Sequence, residues 1–194
     1  MMKSCLISIL VSLVSFTAAW GQASGTQVTE TDSTLTLRNS KVRVEFPKGE
    51  AFDISKLTLN GKELVLSKGY NTVPWTLTYK GPQGENPVLF PSHGEYAGWA
   101  KTTKDGHVAI AFKWNMRLTY QDLVPVVMTV SLPGDSELAY WDIQAGTPDG
   151  WLVSNTQFPR ITVTRPDKAK LITSAGWGAE YNLSNPQVYT SSYP

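Results

Sequence analysis

The chain has 194 residues, a formal net charge of +1, 41% hydrophobic residues and 17% charged residues. This composition is typical of an ordinary globular domain. The near-neutral charge balance provides no basic stripe for nucleic acid and no polybasic patch for anionic lipid, so we expect neither as a partner.

The amino terminus has the pattern of a secretory signal peptide. Lys3 precedes an apolar run from Cys5 to Ala19, and small residues follow up to Ala23. Because this run is short for a membrane span, we predict a signal peptide over residues 1–23 that is cleaved after Ala23. A retained N-terminal anchor is the alternative. The prediction places the mature chain in the periplasm or outside the cell, without membrane contact after cleavage.

Cysteine and metal-ligand patterns exclude several kinds of site. The one cysteine, Cys5, lies at the start of the apolar run, whereas the cysteine of a lipobox would follow the run. The mature chain would then have no thiol, which excludes disulfides, thiolate metal sites and cysteine nucleophiles. The sequence also lacks a His-x-x-x-His pair, a calcium-binding loop and a glycine-rich phosphate loop. We therefore expect no metal and no cofactor.

The strongest structural signal is an alternation of apolar and polar residues between His107 and Leu132. The apolar positions of its two runs are Val108, Ile110, Phe112, Trp114, Met116, Leu118 and Tyr120, then Val124, Val126, Met128, Val130 and Leu132. Successive strand side chains point to opposite faces of a sheet, so this period of two predicts two strands with one face in a core.

Turn sequences separate these strands and several shorter ones. Asn60-Gly61 predicts a two-residue type I′ hairpin because both residues tolerate positive φ, and Asp105-Gly106 predicts a second one. Pro133-Gly134-Asp135 closes the next connection. No ten-residue segment carries a helical stripe. Many short strands at such turn spacings predict an all-β fold, specifically an antiparallel two-sheet β-sandwich.

The domain organisation follows from where the alternation begins and fades. We predict a flexible lead-in over residues 24–33, because this stretch is small, polar and aperiodic. A single β-sandwich domain is predicted over residues 34–175. Loop-like sequence with isolated aromatic residues predicts that residues 176–194 are a linker or the start of a following domain.

Groups suited to acid–base chemistry are few. Adjacent residues such as Ser92 and His93 rarely have the geometry of catalytic partners, and His107, at the start of a strand, is interpreted as a solvated imidazole. Asp142 is the most notable carboxylate because it lies within a predicted strand, where an outward-facing side chain is the simplest interpretation. No spacing singles out the carboxylate pair that glycoside hydrolysis requires. We therefore assign no catalytic residue.

Five of the seven tryptophans fall into two groups. Trp75 and Trp114 occupy core positions of the alternation, whereas Trp99, Trp151 and Trp177 lie beside glycine in or next to loops. An indole combines a flat apolar face with one N–H donor, which suits a sugar ring and a protein interface equally well. We name the second group as candidate contacts to carbohydrate or to a neighbouring domain. Packing within the sandwich is the alternative for each of them.

Several segments resemble, in order, the galactose-mutarotase-like supersandwich domains. Residues 39–46 and 52–64 resemble their opening hairpins. The strand ending in Tyr140-Trp-Asp-Ile, with a return strand reaching Phe158-Pro-Arg-Ile, resembles their late strands. The likeness extends from Thr34 to Trp177. Such domains occur in aldose epimerases, in polysaccharide lyases and at the N-terminus of secreted bacterial glycoside hydrolases.

The last of these groups is the most similar, and the resemblance implies an accessory sandwich. It would support a C-terminal catalytic barrel of the same chain, which holds the acid and the nucleophile, and its partners would be that barrel and a polysaccharide or oligosaccharide. A free-standing carbohydrate-binding module is the first alternative, with Trp99, Trp151 or Trp177 stacked on sugar. An epimerase or lyase active in this chain is the second, although neither His93 nor His107 matches the epimerase histidine.

Pro159 bears on the same question. Proline cannot donate a hydrogen bond to a strand ladder, so it marks a sheet edge, a bulge or a strand end. An open edge invites aggregation unless it is covered. We expect the following barrel, or the linker from Gly176 onward, to cover this region.

Overall fold

The computed structural model describes residues 25–48, 53–64, 66, 73–120 and 122–161, and the backbone of 170–172 and 180–182. The predicted signal peptide over 1–23 therefore lies outside the described residues. The described residues form no α-helix, and so they contain no helix that is long and apolar enough to cross a membrane.

The described residues form short strands joined by tight turns. The strands are β1 (Gln27–Glu30), β2 (Thr34–Arg38), β3 (Val42–Pro47), β4 (Lys56–Leu59), β5 (Lys62–Leu64), β6 (Thr76–Lys80), β7 (Val88–Leu89), β8 (Gly94–Lys104), β9 (His107–Arg117), β10 (Leu123–Leu132), β11 (Tyr140–Ala145), β12 (Leu152–Gln157), β13 (Lys170–Ile172) and β14 (Glu180–Asn182). A 3₁₀ turn at Pro91–His93 precedes β8.

All strand pairs are antiparallel. One sheet has the order β1-β2-β3-β4-β5, a second has the order β11-β10-β9-β8, a third has the order β12-β6-β7, and β13 pairs with β14. The predicted all-β antiparallel sandwich is confirmed. One layer is the four-stranded sheet, and the five-stranded and three-stranded sheets both face it.

Aromatic contacts show how the layers meet. Phe46 of β3 packs on Phe112 of β9 with ring centroids 4.8 Å apart. Trp75, just before β6, meets Trp114 of β9 edge to face, with centroids 5.4 Å apart and ring planes at 77°. The core therefore lies between the four-stranded sheet and the two sheets opposite, and the prediction of Trp75 and Trp114 as core residues is confirmed.

The alternation along β9 and β10 has the predicted effect. Its buried residues are Ile110, Phe112, Trp114, Met116, Leu118, Val124, Val126, Met128, Val130 and Leu132. The prediction is wrong at Tyr120, whose side chain is 91% exposed. Strand β9 ends at Arg117, and the Thr119 hydroxyl lies 2.8 Å from Asp122 Oδ2 in the turn that follows. The chain reverses direction there, so Tyr120 leaves the buried face.

Both predicted type I′ hairpins are present. Asn60 and Gly61 have φ of 50° and 74°, and Asp105 and Gly106 have φ of 50° and 79°. Positive φ at both central residues matches the right-handed twist of the flanking strands. The turns therefore fix the registers of β4 with β5 and of β8 with β9.

The predicted lead-in over 24–33 needs a correction, because it contains strand β1. Backbone pairing with β2 holds this polar segment in place. Val28 packs against the core, and the Thr26 hydroxyl donates to the carbonyl oxygen of Leu132 at 2.7 Å. A strand added at a sheet edge is stabilised mainly by its backbone, so the side-chain pattern gave little sign of it.

Pro159 lies just beyond β12, which ends at Gln157. Strand β12 is an edge of the three-stranded sheet, so the prediction that this proline marks a strand end is confirmed. The backbone N–H of Arg160 donates to the carbonyl oxygen of Pro74 at 2.8 Å. This bond ties the chain after β12 to the residue pair that leads into β6.

Candidate functional site

Trp99 lies on β8, opposite Phe112 of β9, and packs partly buried against the core. A register shift between Tyr96 and Gly98 interrupts the ladder just before it, and Gly98 has a φ of 103°. Strand β8 is an edge of the four-stranded sheet. Only the part of the indole that the core leaves uncovered is available to a partner.

Trp151 closes the turn before β12, where its backbone N–H donates to the carbonyl oxygen of Pro148 at 3.0 Å. Its ring packs directly on Gly81. The contact is so close that a Cβ added to this glycine would come within 2.8 Å of the indole. Trp151 is therefore seated on the turn after β6. The structure places Trp99 and Trp151 on different sheets, and Trp177 lies outside the described residues. Their role as carbohydrate or domain contacts stays a prediction.

A cavity of about 400 Å³ opens on the face of the four-stranded sheet that points away from the core. We call it the outer-face cavity. Its lining residues are Lys104, Asp105, His107, Ser131, Tyr140, Trp141 and Asp142. They come from the turn between β8 and β9, from the end of β10 and from β11.

Cross-strand register explains why the surface of the sheet is recessed at this point. The outer-face positions of β9 and β10 here are small residues that pair with one another, and all are nearly buried: Ala109, Ala111, Thr129 and Ser131. On β11, Tyr140 lies opposite Ser131 and Asp142 lies opposite Thr129. Small side chains in the middle of the sheet, with longer ones around them, produce a depression with Ser131 in its lining.

Opposite charges face each other across this depression. Lys104 Nζ lies 3.7 Å from Asp142 Oδ2, and both side chains are more than one-third exposed. Gln144 Nε2 donates to Asp142 Oδ1 at 3.3 Å. A separation of 3.7 Å exceeds hydrogen-bond length, so the ammonium and the carboxylate attract each other without forming a direct hydrogen bond.

An aromatic pair forms a side of the cavity. The rings of His107 and Tyr140 are nearly parallel, with planes at 9° and centroids 6.3 Å apart, and Tyr140 is half exposed. His107 starts β9 after the hairpin, as predicted, and its ring belongs to the lining of the cavity. Asp142 faces outward as predicted. Lys104 and Tyr140 could not be identified as site residues from the sequence, because their proximity depends on the register of four strands.

Asn39 holds the loop beside the cavity. Its side-chain Nδ2 donates to the carbonyl oxygens of Pro133 and Ser136 at 2.7 and 2.8 Å. Its Oδ1 accepts from the backbone N–H groups of Lys41 and Val42 at 2.8 and 2.6 Å. One amide therefore links the turn between β2 and β3 to the connection between β10 and β11, and so joins the two layers at the end of the sandwich where the cavity opens.

Among the described residues, the shifted pKa values belong to two tyrosines that face the interior. Burial raises the pKa of Tyr96 to about 12. Burial also raises the pKa of Tyr79, whose hydroxyl donates to the carbonyl oxygen of Gly146 at 2.8 Å. Within the described part of the chain, no group of three or more His, Cys, Asp or Glu residues is arranged to hold a metal ion.

The fold defines the class of protein as an antiparallel all-β sandwich. No protein-family model and no solved structure matches the chain. The chain is 35% identical over 191 residues to a Bacteroides thetaiotaomicron protein named "Putative glycoside hydrolase". The match covers 97% of this chain but spans only 28% of that protein's length. The chain thus has a glycoside-hydrolase-like homologue that is several times longer than the aligned region.

Proposed function

We propose that this chain is the N-terminal accessory β-sandwich of a larger, exported carbohydrate-active protein. The sandwich supports a catalytic barrel that follows it in the same polypeptide and is not itself the site of bond cleavage. The signal peptide over 1–23 directs the protein to the periplasm or the cell exterior. Carbohydrate and the following barrel are its partners.

The observation that carries this proposal is the unequal coverage of the match. Almost all of this chain aligns, at 35% identity, with little more than a quarter of a protein named as a glycoside hydrolase. The sandwich has its own hydrophobic core between two layers, as a domain within a longer protein has. Fold alone does not define activity, so the chemistry is assigned to the rest of the polypeptide.

The galactose-mutarotase-like supersandwich is the family we propose for the fold. Antiparallel sheets throughout support it, as does the return strand β12, which leads directly into Phe158-Pro159. The opening hairpins β2–β3 and β4–β5 cover the segments that carry the early half of the resemblance. A crystal structure of the longer polypeptide, superposed on that family, tests this assignment.

The following barrel contacts the edge of the three-stranded sheet in this proposal. Among the described residues, β12 pairs only with β6, and all of its residues except Val153 are exposed. Leu152 is 51% exposed on this edge, so a substitution there acts on the proposed contact and not on the core. In the longer polypeptide, Leu152→Asp is expected to loosen the domain contact and increase proteolysis between the domains. Exposed Leu123, on the other layer, provides the matched control Leu123→Asp.

The reading frame beyond the codon for Pro194 tests the architecture directly. We expect several hundred further codons with alternating strand and helix patterns, as in a (β/α)8 barrel. A stop codon at that point contradicts the proposal and favours the free-standing carbohydrate-binding module.

Polarimetry on galactose and glucose tests the epimerase alternative, and accelerated mutarotation by the purified chain would establish it.

Export is tested separately. N-terminal sequencing of the protein recovered from its native host is expected to begin at Ser24. A mature protein that keeps residues 1–23 and remains in the membrane fraction contradicts the signal-peptide prediction and supports the retained anchor.

A further inference from the structure

We propose that the outer-face cavity binds one neutral sugar unit of a glycan. This inference rests on the proposed function, since it names the place where the sandwich itself meets carbohydrate. It moves the glycan contact from Trp99 and Trp151, which are packed partly into the core, to residues at the open end of the four-stranded sheet.

The size of the cavity fits one ring of a glycan. Its volume of about 400 Å³ is at the low end of small-molecule sites, which span roughly 300–1,000 Å³. Ser131 belongs to the lining and is almost fully buried, so the sheet itself forms the bottom of the cavity. A regular strand ladder makes this bottom rigid, which reduces the conformational entropy that binding must overcome.

The charges favour a neutral, hydroxylated ligand. Lys104 and Asp142 neutralise each other across 3.7 Å, and Asp105 adds one carboxylate, so an anion would meet net repulsion. A sugar hydroxyl is both donor and acceptor. Neighbouring hydroxyls can therefore accept from the ammonium and donate to the carboxylate at the same time.

The aromatic side gives the site its apolar surface. Tyr140 exposes half of its side chain beside the cavity, and the parallel imidazole of His107 supports its orientation. The C–H face of a pyranose ring packs on such a surface, while the polar groups bind its hydroxyls. A mostly apolar wall with a few convergent polar groups is the usual composition of a small-molecule site.

The test is a titration of the isotopically labelled 194-residue chain with galactose, glucose, mannose and N-acetylglucosamine, followed by amide chemical shifts. We expect at least one of these sugars to bind with millimolar affinity. The shifted amides should be those of residues 104–107, 131 and 140–142. Saturable shifts confined to Trp99 or Trp151, or no shifts with any of the four sugars at molar excess, would overturn the proposal.

Matched variants locate the site. Tyr140→Ala and Asp142→Asn are each expected to weaken binding at least about tenfold. The first removes the apolar surface on which the sugar ring packs, and the second removes a hydrogen bond to a charged group. Tyr120→Ala removes a tyrosine that is exposed at the opposite end of β9, and Glu95→Gln removes an exposed carboxylate of β8. These two controls should keep the affinity within about twofold of wild type, which is below the effect of a single hydrogen bond.

The outcomes separate this inference from the proposed function. If the reading frame continues past Pro194 and no sugar binds, the cavity proposal fails and the accessory-domain proposal stands. If a sugar binds in the cavity and the reading frame stops, the cavity proposal stands and the accessory-domain proposal fails. If binding survives both Tyr140→Ala and Asp142→Asn, the cavity is not the site.

Discussion

The two faces of the four-stranded sheet are built from the same strands and differ in almost every other respect. On the inner face, β9 contributes large residues such as Phe112 and Trp114, which pack on the opposite layer. On the outer face of the same strand, Ala109 and Ala111 are small and pair with Ser131, which lines the outer-face cavity, and with Thr129. The alternation thus places the residues that stabilise the sandwich on one face and leaves the other face to the proposed sugar site.

This comparison shows what burial means on each face. Trp114 is buried because the other layer covers it, so its removal leaves a void that the fold must tolerate. Ser131 is buried although it lies on the outer face, and longer side chains line the same cavity. Substitutions that truncate the inner face should therefore reduce stability, whereas those on the outer face should alter binding.

The largest expected effect is at the inner face. Trp114→Ala removes a buried indole that meets Trp75 and Tyr96, and it should lower the free energy of unfolding by about 3–5 kcal/mol. Equilibrium denaturation in urea measures the change. Lys113→Ala, one position along the same strand with its side chain in solvent, should stay within about 0.5 kcal/mol of wild type. Equal losses in the two variants would break the distinction between the faces.

The next effect concerns the link between the layers. Asn39→Ala removes four hydrogen bonds and should cost about 1–3 kcal/mol of unfolding free energy, because backbone groups lose their partners. Asn39→Asp keeps the acceptor for the turn between β2 and β3 but loses the donor to the Pro133–Ser136 loop. It should therefore increase amide hydrogen exchange in that loop. Unchanged exchange in the loop would show that Asn39 does not hold it.

A smaller effect is expected at the hairpin beside the cavity. Gly106 has a φ of 79° and open space around an added Cβ, so Gly106→Ala should cost about 1 kcal/mol from backbone strain alone. Gly134→Ala is the matched control, because that glycine also has open space and has no such φ. Thermal unfolding of the two variants should differ accordingly, and identical melting temperatures would contradict the type I′ assignment.

The dependence of stability on pH tests Tyr96 at high pH. Its pKa in the folded protein is about 12 compared with an ordinary value of 10.0, because burial disfavours the phenolate. Between these pH values the unfolded chain loses the proton while the folded chain keeps it. Stability should therefore be complete below pH 10 and fall as the pH rises towards 12.

Tyr96→Phe is the variant that checks this assignment. It should make the fall in unfolding free energy shallower, and the raised pKa of Tyr79 should account for part of what remains. A pH profile for Tyr96→Phe that superimposes on the wild-type profile would contradict the prediction.

Sequence alone predicted the parts of the fold that local rules determine. Alternation located β9 and β10, and Asn-Gly and Asp-Gly located two hairpins, because side-chain period and turn conformation are set by neighbouring residues. Strand β1 was missed since its stability comes from backbone pairing with β2. Tyr120 was misplaced because the period alone does not show where a strand stops.

The candidate site could be predicted only in part. Asp142 was identified as an unusual carboxylate in a strand, and His107 was placed correctly beside a turn. The proximity of these two residues to Lys104 and Tyr140 depends on pairing among β8, β9, β10 and β11, which brings together residues that are distant in sequence. Such long-range register was not available from composition or periodicity, so the outer-face cavity appeared only in three dimensions.

The most direct test of the difference between the two faces is the urea unfolding of Tyr140→Ala. Tyr140 is half exposed on the outer face, and a truncation there should change the free energy of unfolding by no more than about 0.5 kcal/mol. That result would show that the fold does not require Tyr140, the residue proposed to contact the sugar. A loss of about 3 kcal/mol or more, as expected for a core aromatic, would contradict the account.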